Sequence, residues 1–407
     1  MNRDTETRRK TPGHGTASPT VHRAGWVLVK PDTVIENGCL IIENGRITDV
    51  GHGSITHHLK SVDHGPGVLV PALVNAHTHL ELCALRGRVP FTGGFLNWVK
   101  TLLDQRAQLS ADELIREAGA GIAELKQTGC AVVGDISTLG LTESLLMESK
   151  MAGIWFREHL GSELPASLSS QTGRGQLRSS LAGHAPHTTA PEILAALKQA
   201  TRAADLPFSI HVAESAAEHD FITSGTGSWA DFLAERSIDV SGWNVPARSA
   251  VRYLEQLNLL GRRTLAVHLL WTDRRDLECL ARTGTEVCLC PRSNRNLHER
   301  LPDITAMLDC GIRPCLGTDS LASTETLNVF DEMHYLAKAF PEISPETVLQ
   351  MATVNGARAL GLSDHFGDLT PGKIARFSYI PIRAKNRANV LEALVRQPRK
   401  PIWTQGE

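Results

Sequence analysis

The chain has 407 residues, 42% of them hydrophobic, with 42 Lys and Arg against 44 Asp and Glu, for a formal net charge of -2. That length supports one large domain with an appendage, and the balanced charge, without a basic stripe, argues against a nucleic-acid or other polyanion partner. No apolar run is long enough to cross a bilayer, so no membrane association is expected.

The first 20 residues are polar and carry Arg3, Arg8, Arg9 and Lys10 with no apolar segment behind them. They read as a disordered tail and not as a secretory signal. Residues 25–50 read as two or three short strands with a turn at Glu43-Asn44-Gly45. They are too few to fold alone, and the strand-like stretch 373–382 is the expected partner. Together they predict a small β-sandwich domain built from both chain ends, over residues 21–67 and 365–407. His14, His22, His52, His57, His58 and His64 are expected in the tail or at its surface.

Residues 68–364 alternate apolar runs with amphipathic stretches. The runs are 68–77, 130–136, 153–159, 179–184, 207–213, 264–269, 285–290 and 312–318. Helical periodicity fills most gaps, as at 111–128, 191–204, 274–283 and 344–360. Eight such units predict an α/β fold, a (β/α)8 TIM barrel, better than an open doubly wound sheet. No Gly-x-Gly-x-x-Gly follows an early strand, which weakens a dinucleotide-binding role. The 8 cysteines are scattered singly, apart from Cys288 and Cys290, and no Cys-x-x-Cys occurs. Cys288 and Cys290 alternate on a buried run and read as core, a pattern that suits a reducing cytoplasm. The zinc nucleoside-deaminase signature, His-x-Glu with Pro-Cys-x-x-Cys, is absent.

Active sites of such barrels lie at the carboxyl ends of the strands. The first run ends in His77-Thr78-His79, and residues two apart on a strand share a face, so both imidazoles meet one point. The fifth ends in His211 with Glu214 three residues on, the sixth in His268, and the eighth in Asp319. A buried core histidine explains any one of these, but it is a poor account of four strand ends. Three histidines and a carboxylate suit Zn²⁺ or Fe²⁺ with a position left for water.

This set resembles the amidohydrolase superfamily in its deaminase and chlorohydrolase branch. Supporting segments are Pro71-Ala72-Leu73-Val74-Asn75-Ala76, Cys290-Pro291-Arg292-Ser293-Asn294, Gly317-Thr318-Asp319-Ser320 and Ala352-Thr353-Val354-Asn355-Gly356-Ala357. Pro371-Gly372-Lys373 is similar to the family's return into its small β-domain, and Arg376, where an acid is usual, is expected at the surface. The resemblance implies His77, His79, His211 and Asp319 as metal ligands. It implies His268 beside them, bonded to the metal-bound water. The fourth strand ends in His184 with no lysine to bridge two metals, so one divalent ion, Zn²⁺ or Fe²⁺, is expected.

Such an ion lowers the pKa of water from about 15.7 towards ~7, and the resulting hydroxide would attack a ring carbon bearing an exocyclic amine. Asp319 and His268 would take and orient the proton. Glu214 resembles the acid that protonates the ring nitrogen and then the leaving ammonia; a rim salt bridge is the plainer role for it.

The loop after the first strand reads Leu80-Glu81-Leu82-Cys83-Ala84-Leu85-Arg86-Gly87-Arg88-Val89-Pro90. Deaminases of adenosylhomocysteine and methylthioadenosine carry an acid shortly after Leu-Arg-Gly, where this chain has Val89 and Pro90. His-x-His-Leu-Glu is instead similar to the 6-aminodeoxyfutalosine deaminases of menaquinone synthesis, whose substrate carries a benzoate. Arg292 is the expected bidentate partner of that carboxylate, or else a surface Arg paired with an acid. Glu81 would bind ribose hydroxyls or cap its loop, and His184 matches a substrate-contacting position. His187 stands where relatives often have Tyr. Phe95 and Trp98 would line a lid over the base or pack a loop helix.

The expected partner is a small aminopurine nucleoside. Other readings are a deaminase of 5′-deoxyadenosine or another adenosine derivative, a guanine deaminase, a triazine-type chlorohydrolase, or an inactive barrel serving as a binding or regulatory subunit. A homodimer is the commonest outcome should the chain associate.

Overall fold

The computed structural model describes residues 18–53, 59–163, 168, 176–397, 399, 401, 403 and 404. Residues 1–17, with His14, and the pair His57 and His58 lie outside the described residues, and with them the expectations for most of the tail. Strands β1 (Thr20–Lys30), β2 (Thr33–Glu43), β3 (Arg46–His52), β4 (Lys60–Asp63) and β5 (Val68–Pro71) open the chain. Asn44 and Gly45 both take left-handed backbone, at φ 50° and 73°, and this two-residue turn closes the β2–β3 hairpin.

The long run 68–77 is not one strand. Val68–Pro71 pairs with β1 on one side, while Leu73–Thr78 (β6) belongs to a second sheet. Proline 71 and Ala72 carry the chain between the two sheets.

Eight parallel strands form the barrel. They are β6, β7 (Cys130–Ser137), β8 (Ala152–His159), β9 (Leu177–Gly183), β10 (Phe208–Val212), β11 (Thr264–His268), β12 (Glu286–Leu289) and β13 (Cys315–Leu316), neighbours in chain order. The last strand returns to the first through a Thr78–Asp319 bridge. Asn75 bonds Thr318 twice, its amide donating to Oγ1 at 2.7 Å and its oxygen accepting from the backbone at 3.1 Å. Asn355 donates to Pro314 O at 2.9 Å beside this seam. A Cβ at Gly356 would stand 2.7 Å from a Val74 methyl, so the closure requires glycine there. Asn75, Asn355 and Gly356 therefore close the barrel.

Alternation sorts side chains on the strands. Ile210 and Val212 pack outward against the helices, while His211 between them points inward. Cys288, Cys290 and Cys315 are buried among strand residues, and all eight cysteines are free thiols. Helix Ala111–Gln127 starts with a complete capping box between Ser110 and Glu113. The predicted helix 344–360 is broken at Thr353, whose backbone leaves the helical region and whose hydroxyl bonds Leu349 O.

After the barrel, β14 (Phe377–Ile380) runs antiparallel to β5 and carries β15 (Trp403–Thr404), completing a seven-stranded sheet from both chain ends. His22 departs from its expected surface place. It is buried in this sheet, Nδ1 lying 3.0 Å from His64 Nε2, and burial followed by the charge of His64 pushes its pKa down to about 4. Its ring packs edge-on against Phe377, 5.2 Å between centroids. Arg376 is half-buried where β14 begins, not at the surface. No helix among the described residues is long and apolar enough to cross a membrane.

Candidate active site

At the carboxyl end of the barrel the candidate ligands converge. His211 Nε2 lies 3.3 Å from the Nε2 atoms of both His77 and His79. One Asp319 oxygen lies 3.5 Å from His79 Nε2 and 3.9 Å from His77 Nε2. Four donors around a tetrahedral Zn²⁺ at bonds of about 2.0–2.1 Å stand about 3.3 Å apart, so the spacing fits a divalent metal. His211 Nδ1 lies 2.7 Å from His184 O and donates to it, which turns the lone pair of Nε2 towards the cluster. Burial, then the neighbouring imidazoles, drives the pKa of His77 well below the ordinary value, so its imidazole is neutral, the form that metal binding requires. The second Asp319 oxygen accepts from Ser293 Oγ at 2.6 Å and Ser323 Oγ at 2.9 Å, leaving the first for an ion.

His268 and Glu214 flank this point. Asn294 holds His268 Nδ1 at 2.9 Å, and His268 Nε2 lies 3.7 Å from Glu214 Oε1. The same oxygen is 3.2 Å from His298 Nε2. Burial alone would raise the Glu214 carboxyl, but the imidazoles of His268 and His298 outweigh it and bring it well below the ordinary carboxylate range.

Three strand ends carry non-glycine residues with left-handed backbone, Ala213 at φ 53°, His268 at 82° and Asp319 at 58°. Each costs on the order of 1–3 kcal/mol, and such strain persists where surrounding structure imposes it. At Ala213 the imposing group is Glu218. Its fully buried carboxylate accepts from the backbone of Ala213 at 2.8 Å and Glu214 at 2.7 Å, which aims Glu214 into the site.

Two sequence expectations meet different partners. Arg292 does not line the cavity. Helix Pro291–His298 turns Ser293 and Asn294 towards Asp319 and His268, and the preceding residue projects elsewhere. Its guanidinium bonds Glu332 Oε1 at 2.8 Å, Thr326 Oγ1 at 3.0 Å and Thr326 O at 2.5 Å, burying an ion pair against helix Val329–Ala339. Glu81 does line the cavity, but its oxygens accept from Ser137 Oγ at 2.5 Å and from the backbone of Leu139 and Leu141 at 2.8 Å each. It therefore fixes the loop after β7 and not its own loop. His184 is at the cavity wall, its Nδ1 2.6 Å from Thr188 Oγ1.

Sequence reading also passed over Glu158, Glu218 and His298. Glu158, the last residue but one of β8, faces the cavity. One oxygen accepts from Thr138 Oγ1 at 2.6 Å, and the other is buried without a hydrogen-bond partner among the described residues. Its signal was available, since it stands last but one on its strand as His211 does. Ser215-x-x-Glu218 reads as an ordinary capping box, which hides the bonds Glu218 makes upstream. His298 carried no signal: it reaches Glu214 from the far end of a helix.

A cavity of about 360 Å³ opens above the cluster, within the usual range for small-molecule sites. Phe95 and Trp98 both line it. Their rings stack at 5.8 Å, and Trp98 Nε1 donates to Ala322 O at 3.3 Å. His187 packs at 4.6 Å from Trp229, whose ring stands 6.4 Å from that of Phe95.

Three histidines and an aspartate at metal-ligand spacing, with a carboxylate beside them at the mouth of a parallel barrel, suit a metal-dependent hydrolase. The chain belongs to the Amidohydrolase family, which matches residues 68–396, and it hydrolyses a carbon–nitrogen bond other than a peptide. It is 30% identical over 400 residues to a 5-methylthioadenosine/S-adenosylhomocysteine deaminase of Nitratidesulfovibrio vulgaris, covering 90% of this chain and 84% of that one. It is 30% identical over 314 residues to an aminodeoxyfutalosine deaminase of Deinococcus radiodurans, covering 72% of this chain and 73% of that one. The fold superposes on the crystal structure of Helicobacter pylori aminofutalosine deaminase in complex with methylthio-coformycin with a TM-score of 0.81, at 23% identity over 94% of this chain and 97% of that one.

Proposed function

We propose that this enzyme deaminates an adenine-type nucleoside, replacing the exocyclic amine by a carbonyl and releasing ammonia, and that its substrate is aminodeoxyfutalosine. The observation that carries the deamination is the placement of Glu214 against His268 beside the convergent ligands. His77, His79, His211 and Asp319 would hold a divalent cation, whose Lewis acidity would bring the pKa of a water towards ~7. This chain's own groups do the rest. His268 and Asp319 would take and orient the water's two protons, and the ionised Glu214 beside His268 would receive them in turn, delivering the first to the ring nitrogen and the second to the departing amine. His298 holds the carboxylate of Glu214 in place. Phe95 and Trp98 cover the base and keep bulk water out.

The names of the relatives from Nitratidesulfovibrio and Deinococcus support a nucleoside substrate. His77-x-His79-Leu80-Glu81 supports aminodeoxyfutalosine among them, and with it a place in menaquinone synthesis in the cytoplasm. A second reading is another adenosine derivative, 5′-deoxyadenosine or methylthioadenosine, since the catalytic groups act on the base alone. Ammonia release by metal-loaded protein separates the two. Aminodeoxyfutalosine is expected to exceed adenosine, 5′-deoxyadenosine, methylthioadenosine and adenosylhomocysteine by at least tenfold in kcat/KM. Equal rates would remove the substrate assignment and keep the deaminase, and ammonia from none of these would remove both.

A further inference from the structure

The cavity extends outward from His79 and Asp319 between helices Phe95–Ala107 and Ser228–Glu235. Its outer walls are apolar, with Val99, Leu102 and Leu103 on one helix and Phe232 and Leu233 on the other. Two arginines line this outer part, Arg106 in the last turn of the first helix and Arg236 just past the second. The ion pair that joins these helices is made by other side chains, Lys100 and Glu235 at 3.3 Å. Among the described residues neither guanidinium has a carboxylate partner; that of Arg236 stands 4.6 Å from the centre of the Phe232 ring. Arg106 is half-buried and Arg236 exposed at the rim of these apolar walls, where a planar guanidinium matches a carboxylate brought by the ligand in two bonds.

The position along the cavity says which part of the ligand is read. The Phe95 ring packs 4.7 Å from His298, the partner of Glu214, so this end of the helix marks the reacting end. Arg106 is eleven residues further on, roughly 16 Å along the helix axis. A group gripped there is remote from the base.

We propose that Arg106 and Arg236 are specificity residues that bind a carboxylate carried on an aromatic substituent, attached to the sugar on the side away from the base. This rests on the nucleoside deaminase function proposed above. The aryl ring fills the apolar walls between the helices, and the carboxylate meets the two guanidiniums at their outer edge. Lys100 is engaged by Glu235 and takes no part.

The test compares the nucleoside bearing the aromatic acid with its methyl ester, which keeps the ring and removes the charge. Wild-type protein is expected to prefer the acid at least tenfold in kcat/KM, with the preference shrinking as salt is raised. In Arg106→Met with Arg236→Met the preference collapses towards one, through KM and not kcat, and Arg106→Lys with Arg236→Lys retains part of it. An acid-to-ester ratio near one in wild type, or a ratio the double Met variant leaves intact, overturns the assignment of these arginines. Should 5′-deoxyadenosine be deaminated while acid and ester are both refused, the aromatic-acid ligand is overturned and the deaminase stands. Ammonia from none of the three overturns both.

Discussion

Replacing Glu214 with Gln is expected to lower kcat by about 10³-fold, the size of effect seen when a positioned general acid is lost. Gln keeps the volume and can still bond His298, so folding and metal content are expected to stay at wild-type levels. What disappears is the transferable proton. The carboxylate lies 3.2 Å from His298 and 3.7 Å from His268, and its backbone is held by Glu218, so it is fixed and not a mobile rim group. KM should change little, because the loss falls on the transition state and not on ground-state binding. Single-turnover ammonia release with metal content measured in parallel is the check. A loss under tenfold would return Glu214 to the role of a rim salt bridge.

Arg292→Ala is expected to destabilise the protein by about 3–5 kcal/mol, because it strands Glu332 as an uncompensated buried charge. Glu332 is fully buried, and burial raises its carboxyl despite the Arg292 guanidinium, so the pair is one of charges that need each other. The backbone of Arg292 also donates to Glu332 at 3.1 Å, which ties the start of helix Pro291–His298 to helix Val329–Ala339. Removing both charges together, as Arg292→Met with Glu332→Leu, should recover most of the loss, since a buried ion pair is often replaceable by apolar side chains. Urea unfolding of the two variants decides it. An unchanged midpoint in Arg292→Ala, joined to a lost preference for an acidic substrate, would restore Arg292 to the substrate.

The contrast between Arg292 and its neighbours shows what a linear reading can and cannot see. Strand ends are legible because side chains alternate with period two and the barrel gathers every carboxyl end at one mouth. His77, His79, His211, His268 and Asp319 all came from that rule. Within a short helix each step turns the side chain by about 100°, so Ser293 and Asn294 reach the site while Arg292 faces another helix. Only the packing of helix Val329–Ala339 shows which of the three is inside. The two sheets were legible as well, but the crossing at Ala72 was not, because an unbroken apolar run hides a change of sheet. His22 reads as a tail or surface residue, because its packing on Phe377 and its pairing with His64 depend on strands brought together only by the fold. Arg106 and Arg236 carry no sequence signal at all. They stand in segments between strands, where position relative to the cavity depends on how two helices lean together.

One divalent metal, held by His77, His79, His211 and Asp319, is expected to be needed for ammonia release. Protein stripped by a chelator and titrated with Zn²⁺, or with Fe²⁺ in the absence of air, tests it in one experiment. Ammonia release is expected to be absent at the start and to rise linearly to a plateau at one equivalent per chain, and Asp319→Asn should abolish the rise. Full activity in the stripped protein, or a plateau reached only at two equivalents, would contradict the account.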